Sequence, residues 1–332
     1  MPTALFTSVE AGIIYAIMAL GVYLSFRILD FPDLTVDGSF VTGAAVSAVL
    51  IVNGVNPFIA TLASLVAGFI AGCITGVLHT KGKINALLSG ILMMIALYSI
   101  NLRIMGTSNI SLLRETTVVT HLSEFWKGLG LDEGIRAVLS SIGLTGFIPK
   151  TWAIMFFMLI VTVIIKLIID RFLKTETGLA LRATGDNKNM IRSFSANTDH
   201  LTILGLGISN ALVAFSGGLI AQYNGFSDIG MGMGMIIIGL ASVIIGEAIF
   251  GTKTIARTTL AVIGGAIIYR IVVTIALRVR FLETGDVKLI TALIVVAALI
   301  LPKFIDRQKD KKRKSIRMKE RAAQVAMARE GN

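Results

Sequence analysis

The chain is poor in the residues from which soluble enzymes build their sites. One cysteine, Cys73, occurs in 332 residues and lies inside an apolar run. Neither a disulfide framework nor a cysteine-based metal site can be assembled from it. Three histidines, His79, His121 and His200, are scattered along the chain and suggest no cluster. Charged residues make up only 15%, against about 25% in an average soluble domain. There is no G-x-x-x-x-G-K-[ST] loop to cradle nucleotide phosphates. The string GTKT at 251–254 lacks the upstream glycine. Neither G-x-S-x-G nor H-E-x-x-H occurs. An intramembrane enzyme would need a nucleophile–base or metal pair, and none is found, so the chain is not read as an enzyme. The opening MPTALFTSVEAG has no basic stretch and no small-residue cleavage site, so no cleaved signal peptide is expected.

Apolar side chains fill the space left by these deficits. They make up 55% of the chain, and the mean hydropathy is +0.81. A water-soluble fold of this length could not hide that much apolar surface, and a disordered chain would not carry it. A membrane helix needs about 20 mostly apolar residues. Runs fall at about 8–28, 39–52, 57–79, 84–105, 151–172, 201–223, 235–250, 257–279 and 287–302. The expected fold is an all-α polytopic membrane protein with about eight or nine transmembrane elements. The runs at 39–52 and 235–250 are short. Each follows a polar, glycine-containing stretch, FPDLTVDGS at 31–39 and FSDIGMGMG at 226–234. Irregular backbone at membrane depth survives only inside protein or beside a water-filled cavity. These two stretches are therefore candidates for a transport path.

The net charge is +11, and residues 303–332 carry eleven Lys/Arg against four Asp/Glu. A nucleic-acid partner is not expected, because the tail follows a span end and fits anionic headgroups of the bilayer instead. Lys81 and Lys83, then Lys174, Arg182, Lys188 and Arg192, then Lys253 and Arg257, mark further basic turns. By the positive-inside pattern these turns and the tail are cytoplasmic and the N-terminus is external. The loop 106–150 then lies outside, with four basic and four acidic residues. It is expected to hold short interfacial helices, with Trp126 and Trp152 as interface anchors.

A shift of 195 residues lays AIMALGVYLSFRILDFPD (16–33) on ALVAFSGGLIAQYNGFSD (211–228). Ala16/Ala211, Ala19/Ala214, Leu24/Leu219, Phe31/Phe226 and Asp33/Asp228 match. After a one-residue gap Gly38 pairs with Gly234 and Gly43 with Gly239. The chain reads as four elements, one linking span, and four elements again, so the second half is inverted. Two inverted repeats with broken or half helices at matching positions are the signature of a transport protein. Residues 1–302 form a single transmembrane domain: repeat one at about 8–105, external loop 106–150, linking span 151–172, cytoplasmic loop 173–200 and repeat two at about 201–302. The basic cytoplasmic tail is 303–332.

The cytoplasmic loop contains Thr184-Gly185-Asp186-Asn187, a turn in which Asp186 or Asn187 can cap a following helix. Met190, Ile191 and Phe194 then share a face at helical spacing, flanked by Lys188 and Arg192. The product is a short amphipathic helix with an apolar knob, suited either to the headgroup surface or to docking into a cytoplasmic subunit. This loop, with FPDLTVDGSF at 31–40 and MGMGMIIIGLASVIIGEAIFGT at 231–252, resembles the permease subunits of bacterial ATP-binding-cassette importers. The likeness is to the branched-chain amino-acid and ribose-type family, and to a less characterised branch linked to lipoprotein-type binding proteins and, in some members, to aromatic amino acids. It runs through nearly all of residues 5–302. It implies a coupling helix at Thr184–Ser195 that sits in a groove of the ATPase, with Thr184, Gly185, Asp186, Asn187, Met190, Ile191, Arg192 and Phe194 as its residues. It also implies a separate cytoplasmic ATPase subunit in two copies, a second permease copy forming a homodimer, and an external substrate-binding lipoprotein. No cofactor or metal is expected in this chain, since ATP and magnesium would sit on the partner.

Ionisable and polar groups in apolar surroundings are site candidates by default. Glu247 is either a helix-end residue near Lys253 or a gate contact. Asp37, ahead of Gly38 and Ser39, is an N-cap of the half-helix that starts there or a pathway group. Asn210 and Gln222 are interhelical hydrogen-bonding groups or pathway groups. Met231, Met233 and Met235 alternate with glycines and serve as flexible packing or an outer gate. Asp33 and Asp228 either hold their turns or carry a proton or cation. The expectation is a permease subunit of an ATP-binding-cassette importer in the bacterial cell membrane. Its path would carry a small polar solute, an amino acid or a related molecule, delivered by the binding protein. The alternative is a secondary transporter driven by an ion gradient.

Overall fold

The first helix, α1 (Pro2–Tyr23), continues as a π-helical turn over Leu24–Ile28. The computed structural model describes residues 2–130, 132, 133, 135, 151–193 and 197–276, with four isolated positions between 289 and 296. Two units are distinguished, Met1–Leu282 and Glu283–Asn332. The span expected at 287–302, the tail and Phe194 lie outside the described residues.

After α1 come α2 (Thr35–Val52), α3 (Pro57–Thr80) and α4 (Ala86–Met105). A three-residue strand β1 (Asn109–Ser111) and a short helix α5 (Val118–Gly128) follow. The linking span is α6 (Ala153–Phe172), and α7 (Glu176–Asp186) and α8 (Lys188–Ser193) make the loop after it. The second half holds α9 (Thr198–Asn224), strand β2 (Phe226–Asp228), α10 (Met235–Phe250) and α11 (Ile255–Ala276). Seven helices among the described residues are long and apolar enough to cross a bilayer, and α10 is a shorter apolar one. The chain is an all-α multi-pass membrane protein.

Local chemistry sets the helix starts. The side chains of Asn56, Asn85 and Asn197 each accept a backbone N–H two residues on, at the starts of α3, α4 and α9. These are orphan donors that no helix can satisfy internally. The first short run was expected to begin near residue 39, but α2 starts at Thr35. Asp33 Oδ1 accepts the Thr35 N–H at 2.9 Å, which sets the first turn four residues early. Only Leu29–Leu34 is left irregular, entered through Asp30 at φ 51°. The 18-residue α2 therefore reaches spanning length, while its counterpart α10 has 16 residues.

Helices α1 and α9 form the centre. In each, 78% of the most apolar window is buried, against 28% for α4. They cross antiparallel, and the crossing is symmetric. Ser209 Oγ donates to Gly21 O at 2.7 Å, and Ser216 Oγ donates to Ile14 O at 2.8 Å. Under the 195-residue shift Ile14 corresponds to Ser209 and Gly21 to Ser216, so each contact maps onto the other. The first helix of each half also packs on the second and third helices of the other: α9 on α2 and α3, α1 on α10 and α11. The matched glycines obey the same exchange. A Cβ on Gly43 would strike the Ala214 carbonyl of α9, and one on Gly239 would strike the Val22 side chain of α1. The two halves thus interlock instead of standing side by side.

The outer faces of α3 and α6 expose Ile59, Leu62, Val66, Ile70, Ile164, Leu167 and Ile168. Water would not tolerate so continuous an apolar surface, whereas lipid does. Trp126 is not an exposed anchor as expected. It is buried, its Nε1–H donates to Asp132 Oδ1 at 2.8 Å, and its ring meets Phe156 and Phe157. Trp152 is half-buried, edge-on to Phe6. The antiparallel pair β1–β2, with Asn109 opposite Asp228, was not foreseen, because three-residue strands leave no periodic signal. It brings the segment after α4 and the segment after α9 to one face of the molecule.

Candidate translocation site

The start of α10 meets the first turn of α2. Asp37 Oδ2 accepts the Gly234 N–H at 3.0 Å and Oδ1 accepts the Ile236 N–H at 2.8 Å. A carboxylate at this place satisfies two orphan donors and complements the positive end of the helix dipole. Asp37 was expected to cap its own helix or to serve the pathway. It does cap, but it caps α10, from the other half of the chain. Its own helix has Leu34 at the N-cap with no side-chain bond. One aspartate therefore fastens the start of α10 to the first turn of α2.

Beside this junction lies a cavity of about 350 Å³, lined by Asp37, Tyr98, Ser99, Asn101, Gly232 and Met233 together with apolar side chains. Asn101 of α4 donates from Nδ2 to Gly38 O at 3.1 Å. Of the three alternating methionines only Met233 opens onto the cavity, at 64% exposure. Met231 and Met235 are half-buried and pack on the core. Ser39 is fully buried and does not line the cavity. Tyr98, Ser99 and Asn101 were missed because α4 reads as one apolar run with ordinary polar interruptions.

The other intramembrane candidates are absorbed by packing. Asp33 is fully buried, and its Oδ2 accepts from Asn210 Nδ2 at 2.6 Å while Oδ1 caps Thr35. Asp228 repeats the motif: its Oδ1 accepts the Gly230 N–H at 2.8 Å. Matched aspartates at 33 and 228 thus make the same bond to the residue two positions on, a turn-holding role. Gln222 donates from Nε2 to Ser47 and Thr61 and accepts the Val118 N–H at 2.9 Å. It ties α2, α3, α5 and α9 together. Neither amide lines the cavity. A buried acid that the sequence reading passed over, Glu10, accepts from the Tyr223 hydroxyl at 3.1 Å. Lys166, Asp170 and Thr259 form a second such group. Both were detectable by the same criterion, ionisable residues within apolar runs.

At the opposite end of α10, Glu247 does not pair with Lys253. Arg27 holds it through Nε at 3.0 and 3.1 Å and Nη2 at 2.7 Å, a bidentate arrangement. Arg27 sits on the π turn of α1, so this pair joins the two halves a second time. Helix α7 packs on the same turn. A Cβ at Gly185 would strike the Ile28 carbonyl, so glycine there lets α7 lie against α1. Thr184 is buried, with its hydroxyl donating to Ala180 O at 2.7 Å. Asp186 closes α7, and Asn187 Oδ1 accepts the Met190 N–H at 3.0 Å to start α8. Arg192 bonds Thr198 and Asp199. The apolar face is not shared as expected, because Met190 is exposed whereas Ile191 is buried. The six-residue helix turns Ile191 into the protein, and Leu179 of α7 becomes the second exposed apolar residue beside Met190.

Comparison with known proteins fits this architecture. Residues 4–301 match the family model described as the permease component of branched-chain amino acid transport systems. The chain belongs to this family. A tyrosine transport system permease protein of Clostridioides difficile (strain R20291) is 43% identical over 87% of this chain and 88% of its own length. An uncharacterized protein of Rickettsia prowazekii (strain Madrid E) is 34% identical over 89% of this chain and 96% of its own. The autoinducer 2 import system permease protein LsrC of Salmonella typhimurium (strain LT2) is 26% identical over 74% of this chain, and this chain spans 62% of LsrC. No solved structure matches. The chain is thus a transport permease in the company of transport permeases, and none of these relatives is named as an enzyme.

Proposed function

We propose that this permease is the membrane-spanning subunit of an ATP-driven importer, and that two copies enclose one path for a small polar solute of the amino-acid class. An external binding protein delivers the solute, and a separate ATPase subunit, holding ATP and magnesium, docks on α7 and α8. The observation that carries this reading is the α7–α8 pair. It projects exposed Leu179 and Met190, it rests on the π turn of α1 through Gly185, and that turn holds the Arg27–Glu247 pair. A self-powered carrier has no use for such a lever. The cavity at Asp37 opens beside exposed Ile95, Tyr98 and Met233, and a second copy facing this side would complete a path. The tyrosine transport name of the Clostridioides difficile relative supports an amino-acid substrate. The β1–β2 pairing keeps the segments after α4 and α9 on one face. That agrees with basic turns on the cytoplasmic side of the bacterial cell membrane and an external N-terminus.

The test is reconstitution of the permease, its ATPase and its binding protein in vesicles. The expected outcome is uptake that requires ATP and the binding protein and ignores an imposed ion gradient. Uptake by the permease alone, driven by an ion gradient, would establish the secondary-transporter reading instead.

A further inference from the structure

A cavity of about 400 Å³ lies between the ends of α1 and α10, the start of α11 and the side of α7. Its polar lining includes Tyr23, Arg27, Arg182, Glu247, Lys253 and Thr254. Three cations face one carboxylate, and that carboxylate is consumed by Arg27. Arg182 is half-buried and forms no ion pair or hydrogen bond among the described residues. Lys253 is exposed and equally unpaired among them. Helix α11 starts at Ile255 on the same wall; Thr254 takes the Arg257 and Thr258 N–H groups, which leaves those of Ile255 and Ala256 as its orphan donors. Helix N-termini attract anions through these donors and through the dipole.

We propose that this cavity is an anion site for a phosphate-bearing group, held by Arg182, Lys253 and the N-terminus of α11, with Arg27 at its edge. Arg182 supplies a planar fork suited to phosphate oxygens, and Lys253 supplies a mobile point charge. The one carboxylate in the cavity is held by Arg27, so Arg182 and Lys253 leave a net positive charge there that an anionic ligand would neutralise. The residues concerned lie on the side assigned to the cytoplasm, at the level where lipid headgroups and free phosphates are both within reach. The proposal does not depend on ATP-driven transport, only on the geometry of this one unit.

The test uses the full chain, purified and placed in nanodiscs. One arm compares retention of phosphatidylglycerol with that of phosphatidylcholine by native mass spectrometry. The other measures thermal stabilisation by inorganic pyrophosphate at constant ionic strength. Charge-assisted hydrogen bonds and the size of a tenfold step in affinity set the expected loss at about tenfold per cation removed. Wild type should prefer the anionic lipid or be stabilised by pyrophosphate. Arg182→Gln and Lys253→Gln should each weaken that response, and the double variant should abolish it. Preference in the lipid arm alone identifies a headgroup site, and a response in the pyrophosphate arm alone identifies a soluble phosphate. Lys253→Gln alters an exposed side chain and keeps the test open if Arg182→Gln does not fold. Equal binding by wild type and double variant would overturn the proposal. So would indifference of wild type to both ligands, or a double variant whose only defect is loss of a protein partner with an acidic face.

Discussion

Asp37 and Asp33 sit four residues apart and hold different things. Each oxygen of Asp37 accepts one N–H at the start of α10, so asparagine can serve only one of them and loses the charge. Asp33 uses Oδ1 for Thr35 and Oδ2 for Asn210, and the Asn210 Oδ1 atom has no partner. If Asp33 becomes Asn, the Asn210 amide can rotate and accept from the new side chain, giving up its Nδ2 bond to Leu206 O, a carbonyl inside helix α9. Asp33→Asn should therefore be mild. Asp33→Ala should cost about 1–3 kcal/mol by leaving buried donors unmet. At position 37 both changes should be damaging, with Asp37→Ala costing about 0.5–2 kcal/mol for the lost cap. Thermal unfolding of the purified variants, read beside their uptake in reconstituted vesicles, checks the order. If Asp33→Asn abolished uptake in a folded protein, Asp33 would be carrying a charge and the turn-holding role would be wrong.

Between elements, the decisive contacts are close approaches and one ion pair. A side chain at Gly43 meets backbone, the Ala214 carbonyl, whereas one at Gly239 meets the Val22 side chain. Side chains yield more easily than helix backbone. Gly43→Ala should cost about 1–3 kcal/mol and Gly239→Ala less, measured as a shift in thermal unfolding. The Arg27–Glu247 pair has its arginine 59% exposed, so its contribution to stability is small, about 0–1 kcal/mol. Its role is in linking halves, and Arg27→Gln should lower uptake per ATP hydrolysed while leaving the unfolding temperature nearly unchanged. Unaltered stoichiometry in that variant would reduce the pair to a surface contact. If the proposed ATPase docks on α7 and α8, an apolar side chain such as Phe194 entering its groove would contribute about 1.5–3 kcal/mol. Phe194→Ala should weaken ATPase docking without affecting membrane insertion, as measured by co-purification.

For the whole molecule the expectation is dependence on partners. The chain carries no phosphate loop, so the purified permease should hydrolyse no ATP above background until its ATPase is added. Hydrolysis by the permease alone, surviving removal of contaminants, would contradict the assignment. The interlocked halves add a second expectation. Each first helix is embedded in the other half, so residues 1–105 expressed without the second half should not fold to a protease-resistant core.

Much of this protein was legible before any coordinates. Apolar runs located the seven helices of spanning length among the described residues, though not the early start of α2, because bilayer thickness imposes a length that sequence displays directly. The basic turns suggested an orientation, and Asn187 was legible as a cap, but the turn expected at Thr184–Asp186 is the helical end of α7, which packs on α1. The 195-residue shift paired Asp33 with Asp228, and both make the same turn bond. Tertiary structure decided which groups meet. Asp37 looked like the cap of its own helix and caps another, since capping geometry depends on a neighbour nearly two hundred residues away. Glu247 looked toward Lys253 and found Arg27, because the π turn delivers that guanidinium to the end of α10. Ile191 shared a face with Met190 by spacing, yet one is buried and the other exposed, since a six-residue helix is oriented by what it rests on. Length and periodicity are properties of a segment and are written in it. Pairing between distant polar groups is a property of the packed helices and is settled only when they come together.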